Sequence, residues 1–314
     1  MEFLPFPKMP CLGASDAATW VALEKIHGAQ LVIGVDAAGV RFGKRKEWLR
    51  DEDPFFGWQL LRASLRDAAR AVLAAVGAER VVLYGELFGG GYPHPDVPAG
   101  GMTPVQTGVW YAPDLRWALF EIRAVGGGED AFLAWSEAAP IAAAAGLMTP
   151  PLVARGRKAE IAAVSERFPS RVAAALGLPP LGPENLAEGL VARPDARMPA
   201  AAYMALKRKI AEMREDRFDE SAPWDPERPV DLPALIRWGE RLSNGPRLAS
   251  AASKVGRHDR AAVVEEAALD VLVDLEAAFP GAMRALSPED GEALERAVRA
   301  AVARQGPWNN DQSR

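Results

Sequence analysis

The chain has 314 residues, 49% hydrophobic and 25% charged, with 28 glycines and 26 prolines; this profile excludes disorder and collagen-like repeats and leaves room for two globular domains. Its 37 basic against 42 acidic side chains give a formal net charge of −5, which argues against a protein that coats nucleic acid uniformly but leaves a local basic groove open. One cysteine, Cys11, precludes an internal disulfide, and three histidines scattered at 27, 94 and 258 make no zinc cluster with it.

The opening MEFLPFPKMP is broken by Pro5, Pro7 and Pro10 and lacks the apolar run of a signal peptide. Residues 138–147, interrupted by Pro140, are too short to span a bilayer. A cytoplasmic protein with no membrane association is expected. Residues 21–35 read as strand, polar loop, strand, with Glu24-Lys25-Ile26-His27-Gly28 between two apolar runs. Leu61, Leu65, Ala69, Val72 and Val76 recur at three- and four-residue spacing and predict an amphipathic helix over 58–76. Strands follow at 81–88 and 117–122, each ahead of a glycine triplet (89–91 and 126–128) that reads as a tight turn. Helices are predicted over 129–147 and 158–176, and strands at 188–193 and 203–209. The stretch 219–231, DESAPWDPERPVD, has the composition of an exposed connector. Beyond it the periodicity of 232–304 is helical throughout, and the polar tail 306–314 is expected to be loose.

Lys25 stands between apolar strands, next to an acid, an imidazole and a glycine that lets backbone approach a ligand. A lysine amine becomes a nucleophile when it is partly desolvated or held near other cations, although these five residues alone read equally as a turn with a solvated lysine. Lys207 and Lys209, two apart on a predicted strand, leave the same face and can converge on one phosphate; Arg208 must point the other way. Within Lys44-Arg45-Lys46, otherwise a solvated charge run, Arg45 offers a planar fork for phosphate or ribose. The glycine triplets lack the Gly-Lys-Ser/Thr continuation of a phosphate loop.

Six short segments, in order, carry a resemblance: Glu24-Lys25-Ile26-His27-Gly28, Gly43-Lys44-Arg45-Lys46, Tyr84-Gly85-Glu86-Leu87, Phe120-Glu121-Ile122, Glu188-Gly189-Leu190-Val191 and Leu206-Lys207-Arg208-Lys209. Together they resemble the motifs of the ATP-dependent RNA ligases of the covalent nucleotidyltransferase superfamily, the group of the second phage T4 RNA ligase and the kinetoplastid RNA-editing ligases. The resemblance implies ATP contacts from Glu24, Lys25, Glu86, Phe120, Glu188, Lys207 and Lys209. In that scheme Lys25 forms a lysyl-AMP phosphoamide, Glu86 holds a ribose hydroxyl and Phe120, by default a core residue, stacks on adenine. His27 lies at the phosphate site, with Arg45, Lys207 and Lys209 beside it, and Glu188 positions Mg2+ or Mn2+. Two departures stand out, Gln30 where the family commonly has Asn and Leu190 where an aromatic is common; the first bears on handling of an RNA 5′-phosphate.

In the helical part, Arg237, Arg241, Arg247, Lys254, Arg257 and Arg260 face only Glu240 and Asp259, a plausible phosphate-binding surface or simply a solvated basic face. With Arg45, residues Arg247 and Lys254 are the candidate RNA contacts. The expectation is an α+β nucleotidyltransferase domain of antiparallel sheets with flanking helices over 1–220, a linker at 221–231 and an all-helical RNA-binding domain over 232–305. The implied activity is ATP-dependent joining of RNA 5′-phosphate and 3′-hydroxyl ends; a noncatalytic repair scaffold and a DNA or hybrid ligase are the alternatives.

Overall fold

The structure, a computed structural model, describes residues 1–7, 17–213, 227, 229–256 and 259–305. Cys11, Arg257, His258, the tail 306–314 and most of the connector 219–231 lie outside the described residues. The chain divides into two compact units, the first made of Met1–Arg50, Ala68–Pro98 and Pro104–Ala222, the second of Asp51–Asp67, Ala99–Thr103 and Pro223–Arg314.

Strands β1 (Trp20–Glu24), β2 (Ala29–Asp36) and β3 (Gly39–Gly43) open the first unit, helix α1 (Gln59–Val76) runs from one segment group into the other, and β4 (Arg80–Gly91), β5 (Ala112–Gly126) and β6 (Glu129–Phe132) follow. Helix α2 (Trp135–Ala144), β7 (Leu152–Gly156), α3 (Lys158–Ala162), α4 (Val172–Ala175), β8 (Gly189–Pro194), β9 (Met198–Pro199) and β10 (Leu206–Lys209) complete it. The strands form two antiparallel sheets, in the orders β10-β8-β1-β7 and β3-β2-β4-β5-β6-β9. One apolar cluster is built from both: Val32, Tyr84 and Phe132 of the larger sheet with Val191 of β8 and Tyr203. A buried ion pair between Arg193 of β8 and Glu121 of β5 also joins them, and the Tyr203 hydroxyl donates to the same carboxylate at 2.8 Å. On the other face of the smaller sheet Trp20, Ala22, Leu190 and Ala192 pack on Ile161 of α3.

Three sequence expectations are corrected. β4 does not stop at Phe88 but runs through Gly89-Gly90-Gly91, with Gly89 and Gly90 at φ of +94° and +93° and a register skip before Gly91. A Cβ on Gly89 would stand 2.1 Å from the Asp114 carbonyl, so the glycines serve a bulge rather than a turn. Residues 129–147 are not one helix: the turn at 126–128 folds β6 back onto β5, and Arg123 grips Asp130 with two hydrogen bonds of 2.6 and 2.7 Å, before α2 begins. The predicted helix over 158–176 is two short ones, because Pro169 cannot continue a helix and instead bridges to Leu186.

In the second unit α5 (Leu232–Leu242), α6 (Gly245–Val255), α7 (Arg260–Ala278), α8 (Pro280–Ala285) and α9 (Pro288–Arg304) pack around Leu235, Trp238, Val271, Leu275, Val298 and Val302. Side-chain caps start four of them, Asp231, Asn244, Asp259 and Ser287 each accepting from a backbone amide three residues on. No described helix is long and apolar enough to cross a membrane.

Candidate active site

Side chains alternate between the two faces of β1, although all five residues are buried. Glu24 shares a face with Trp20 and Ala22, while Lys25, one residue on, turns to the opposite side. The Lys25 amide donates to the Gly189 carbonyl at 2.9 Å, which brings the lysine beside Glu188 at the head of β8. Glu188 is 1% exposed. Its Oε2 accepts from Lys25 Nζ at 2.6 Å and lies 3.5 Å from His27 Nδ1, while Oε1 lies 3.0 Å from Lys209 Nζ. One buried carboxylate therefore gathers three basic groups from the end of β1, the β1–β2 connection and β10. Burial works to raise its pKa, but the His27 hydrogen bond and the Lys25 charge outweigh it and hold the group at about 2.

Glu86, on β4 opposite Gln30 of β2, behaves in the reverse sense. Burial raises its pKa to about 7, with the negative Glu188 adding to the effect; Lys25, the Gly28 amide and Arg45 oppose it without prevailing. Two carboxylates are thus driven apart in acidity by one set of neighbours, a pattern of sites that handle protons and charge. Gly28 admits this closeness, since a Cβ there would stand 1.9 Å from the Leu87 carbonyl oxygen. The side-chain nitrogen of Gln30 is buried and has no hydrogen-bond partner among the described residues.

The remaining predicted residues fall in several places. Arg45 is exposed just after β3, its charge felt at Glu86. Lys207 is exposed; Arg208 points to the other face of β10, donating to the carbonyls of Ala162, at 2.7 Å, and Val164, with Glu166 at 3.4 Å. The register of β5 against β4 passes from Glu121 opposite Tyr84 to Leu119 opposite Gly85, which leaves Phe120 as the extra residue of a bulge, re-aimed out of the regular alternation. Its ring meets Phe6 edge-on, with centroids 5.2 Å apart. The Glu24 carboxylate does not join the cluster: it is 1% exposed on the opposite face and accepts from Ser170 Oγ at 2.6 Å and the Arg171 amide at 2.8 Å. Burial raises its pKa, those hydrogen bonds opposing.

Arg247 is inside the helical unit rather than on a phosphate-binding surface. It is 5% exposed, and its guanidinium donates to Asp274 at 2.7 Å and to the Leu242 carbonyl at 3.1 Å, with Arg62 on the other Asp274 oxygen at 2.9 Å. Lys254 is held by Glu266 and Asp270, at 2.9 and 3.0 Å. Among the described residues no group of three or more His, Cys, Asp or Glu side chains forms a metal cluster. Tyr111, absent from the motifs, supports the site from below: its buried hydroxyl accepts from the His27 amide at 2.9 Å. No local spacing marks it, because its partner is 84 residues away.

The family signature described as RNA ligase matches residues 18–210, which include every residue of this cluster. The chain belongs to the RNA ligase family. Mitochondrial RNA-editing ligase 2 of Trypanosoma brucei brucei is 31% identical over 202 residues, covering 55% of this chain and 48% of the relative. Mitochondrial RNA-editing ligase 1 of the same organism is 32% identical over 215 residues, 56% of this chain and 45% of the relative. The chain spans about half the length of these curated relatives. Among solved structures, a Naegleria gruberi RNA ligase mutant with ATP and Mn is 14% identical, with a TM-score of 0.42 over 65% of this chain and 53% of that one.

Proposed function

We propose that this RNA ligase family member is an ATP-dependent ligase that joins RNA 5′-phosphate and 3′-hydroxyl ends, in RNA repair, through a covalent lysyl-AMP on Lys25. The observation that carries the reading is the gathering of Lys25, His27 and Lys209 on the buried Glu188 carboxylate, within the span that matches the family. Lys25 Nζ, freed of its proton, attacks the α-phosphorus of ATP; the N–P bond forms as the bond to the β-phosphate oxygen breaks, and pyrophosphate leaves. An RNA 5′-phosphate oxygen then attacks the same phosphorus and releases the lysine amine. Attack by a 3′-hydroxyl on the 5′-phosphorus expels AMP and completes the join.

Lys209 and His27 lie beside the amine, where charge builds on the α-phosphate, and supply fixed positive and hydrogen-bonding groups. Phe120 serves as the base platform and Glu86 as the ribose contact, with Lys207 and Arg45 toward the outer phosphates and RNA. Glu188 is a hard oxygen donor of the kind that holds Mg2+ or Mn2+ together with substrate phosphates, so the residues present fit such an ion. When bound, the ion neutralises phosphate charge. The reducing cytoplasm suits this reading, although the named trypanosome relatives are mitochondrial.

Incubation with α-labelled ATP and denaturing electrophoresis tests it. Label should remain on the wild-type chain and be absent from Lys25→Ala and Lys25→Arg, since a guanidinium does not deprotonate to attack phosphorus. No label on wild type points to a noncatalytic scaffold and overturns the proposal; sealing of nicked DNA in preference to RNA moves it to a DNA or hybrid ligase.

A further inference from the structure

Between the end of β1 and the start of β2, the segment that carries Lys25 leaves the sheet ladder and is held by neighbours on both flanks. On one flank the Glu24 carboxylate accepts from Ser170 Oγ and the Arg171 amide. On the other the His27 amide donates to the Tyr111 hydroxyl. These two supports come from separate connections of the chain, and one residue ties them together, its side chain on one connection and its backbone carbonyl on the other. Asn185 accepts from the Trp110 amide through Oδ1 at 2.9 Å and donates to the Trp110 carbonyl through Nδ2 at 2.7 Å, pairing with that residue as a neighbouring strand would. Its own carbonyl accepts from the Ser170 amide at 2.8 Å.

The hydrogen bonds close a ring, Glu24–Ser170–Asn185–Trp110–Tyr111–His27, and the Lys25-Ile26 dipeptide spans it. We infer that Asn185 is a positioning residue for nucleotidyl transfer: through this ring it sets where the Lys25 amine stands against the bound nucleotide. The inference rests on Lys25 being the nucleophile. Both side-chain hydrogen bonds of Asn185 go to the Trp110 backbone, and the residue is three before Glu188, so the same anchor places the carboxylate that grips the amine. The amide suits the task because it offers one acceptor and one donor to a single backbone unit. Aspartate would keep the first contact and turn a carboxylate oxygen toward the Trp110 carbonyl.

Attack at phosphorus is sensitive to placement, and a misalignment of about 1 Å costs on the order of 10²-fold in rate. The test is single-turnover formation of lysyl-AMP by the full chain, measured across ATP concentrations well below the melting temperature of each variant. Asn185→Ala and Asn185→Asp should lower the maximal rate by about 10-fold or more, while the ATP concentration for half-maximal rate moves less than about twofold, because no nucleotide contact is removed. Tyr111→Phe, which deletes only the hydroxyl under His27, should give the same signature with its volume intact. A merely structural role lowers the melting temperature and leaves the maximal rate unchanged. A folded Asn185 variant or Tyr111→Phe with a wild-type maximal rate overturns the inference, as does a rise in half-saturating ATP with no loss of rate. A wild-type chain that fails to label, or labels on a residue other than Lys25, overturns instead the reading on which it rests.

Discussion

Replacing Glu86 by glutamine should make the protein more stable at alkaline pH while impairing its proposed chemistry. In the folded state the Glu86 pKa lies at about 7 instead of 4.5, chiefly because burial disfavours the charged form. Between those values the folded protein keeps a proton that the unfolded chain releases, so stability falls as pH rises through this window and the full penalty applies above pH 7. At about 1.4 kcal/mol per pH unit, the displacement amounts to about 3 kcal/mol. Glutamine carries no charge to desolvate and keeps an oxygen for the Gly28 amide. Urea unfolding at pH 4.5, 6 and 8 should find wild type and Glu86→Gln equal at the first, and the variant ahead by about 3 kcal/mol at the last. Glu188, displaced the other way to about 2, contributes stability that is lost only as pH falls below 4.5, and it does so in both proteins. A variant less stable than wild type at pH 8, or a difference that does not change with pH, would refute the assignment of burial as the dominant cause. Weaker ATP binding by the variant would mark Glu86 as a residue whose strain is retained for function.

Gly28→Ala puts a methyl group 1.9 Å from a backbone oxygen of β4; the connection carrying Lys25 must shift, and lysyl-AMP formation should fall by about 10²-fold or more, as a labelling time course would show. Lys209→Ala should slow labelling by about 10²-fold, whereas Arg208→Ala, which loses its contacts to the carbonyls of Ala162 and Val164, should lower the melting temperature and keep the rate; the reverse outcome would reverse the assignment of faces on β10. Arg247→Ala leaves Asp274 buried with Arg62 alone and should destabilise the chain by about 3 kcal/mol in chemical unfolding, without changing the salt dependence of RNA binding.

Short-range pattern made much of the site readable. The apolar runs on either side of Glu24 to Gly28 announce β1 and β2, and strict alternation separates Arg208 from its two lysine neighbours. What escapes the sequence is pairing at a distance. Glu24 looks like a member of the Lys25 cluster because it is adjacent, yet adjacency on a strand means opposite faces, and its partners are Ser170 and Arg171. Arg247 belongs to a basic run by position but is neutralised by Asp274, a residue on the next helix. Gly89-Gly90-Gly91 has turn composition, and only the approach of Asp114 shows why the strand continues through it. The acidic start of β6 resembles a helix N-terminus until Arg123 of β5 claims Asp130.

The order of strands in the smaller sheet has a consequence for how the chain is made. β1 lies between β7 and β8, and Lys25 meets Glu188 across 163 positions of sequence. During synthesis at about 5–20 residues per second, β1, every residue of which is buried in the finished protein, waits roughly 8–30 s before Glu188 has been added. A nascent or prematurely terminated chain therefore carries the lysine without its surroundings, and it offers an apolar strand to chaperones instead of a partly assembled site. Contacts of such long range also slow folding, so the smaller sheet, with the candidate site along it, is expected to be the last part of the first unit to become native.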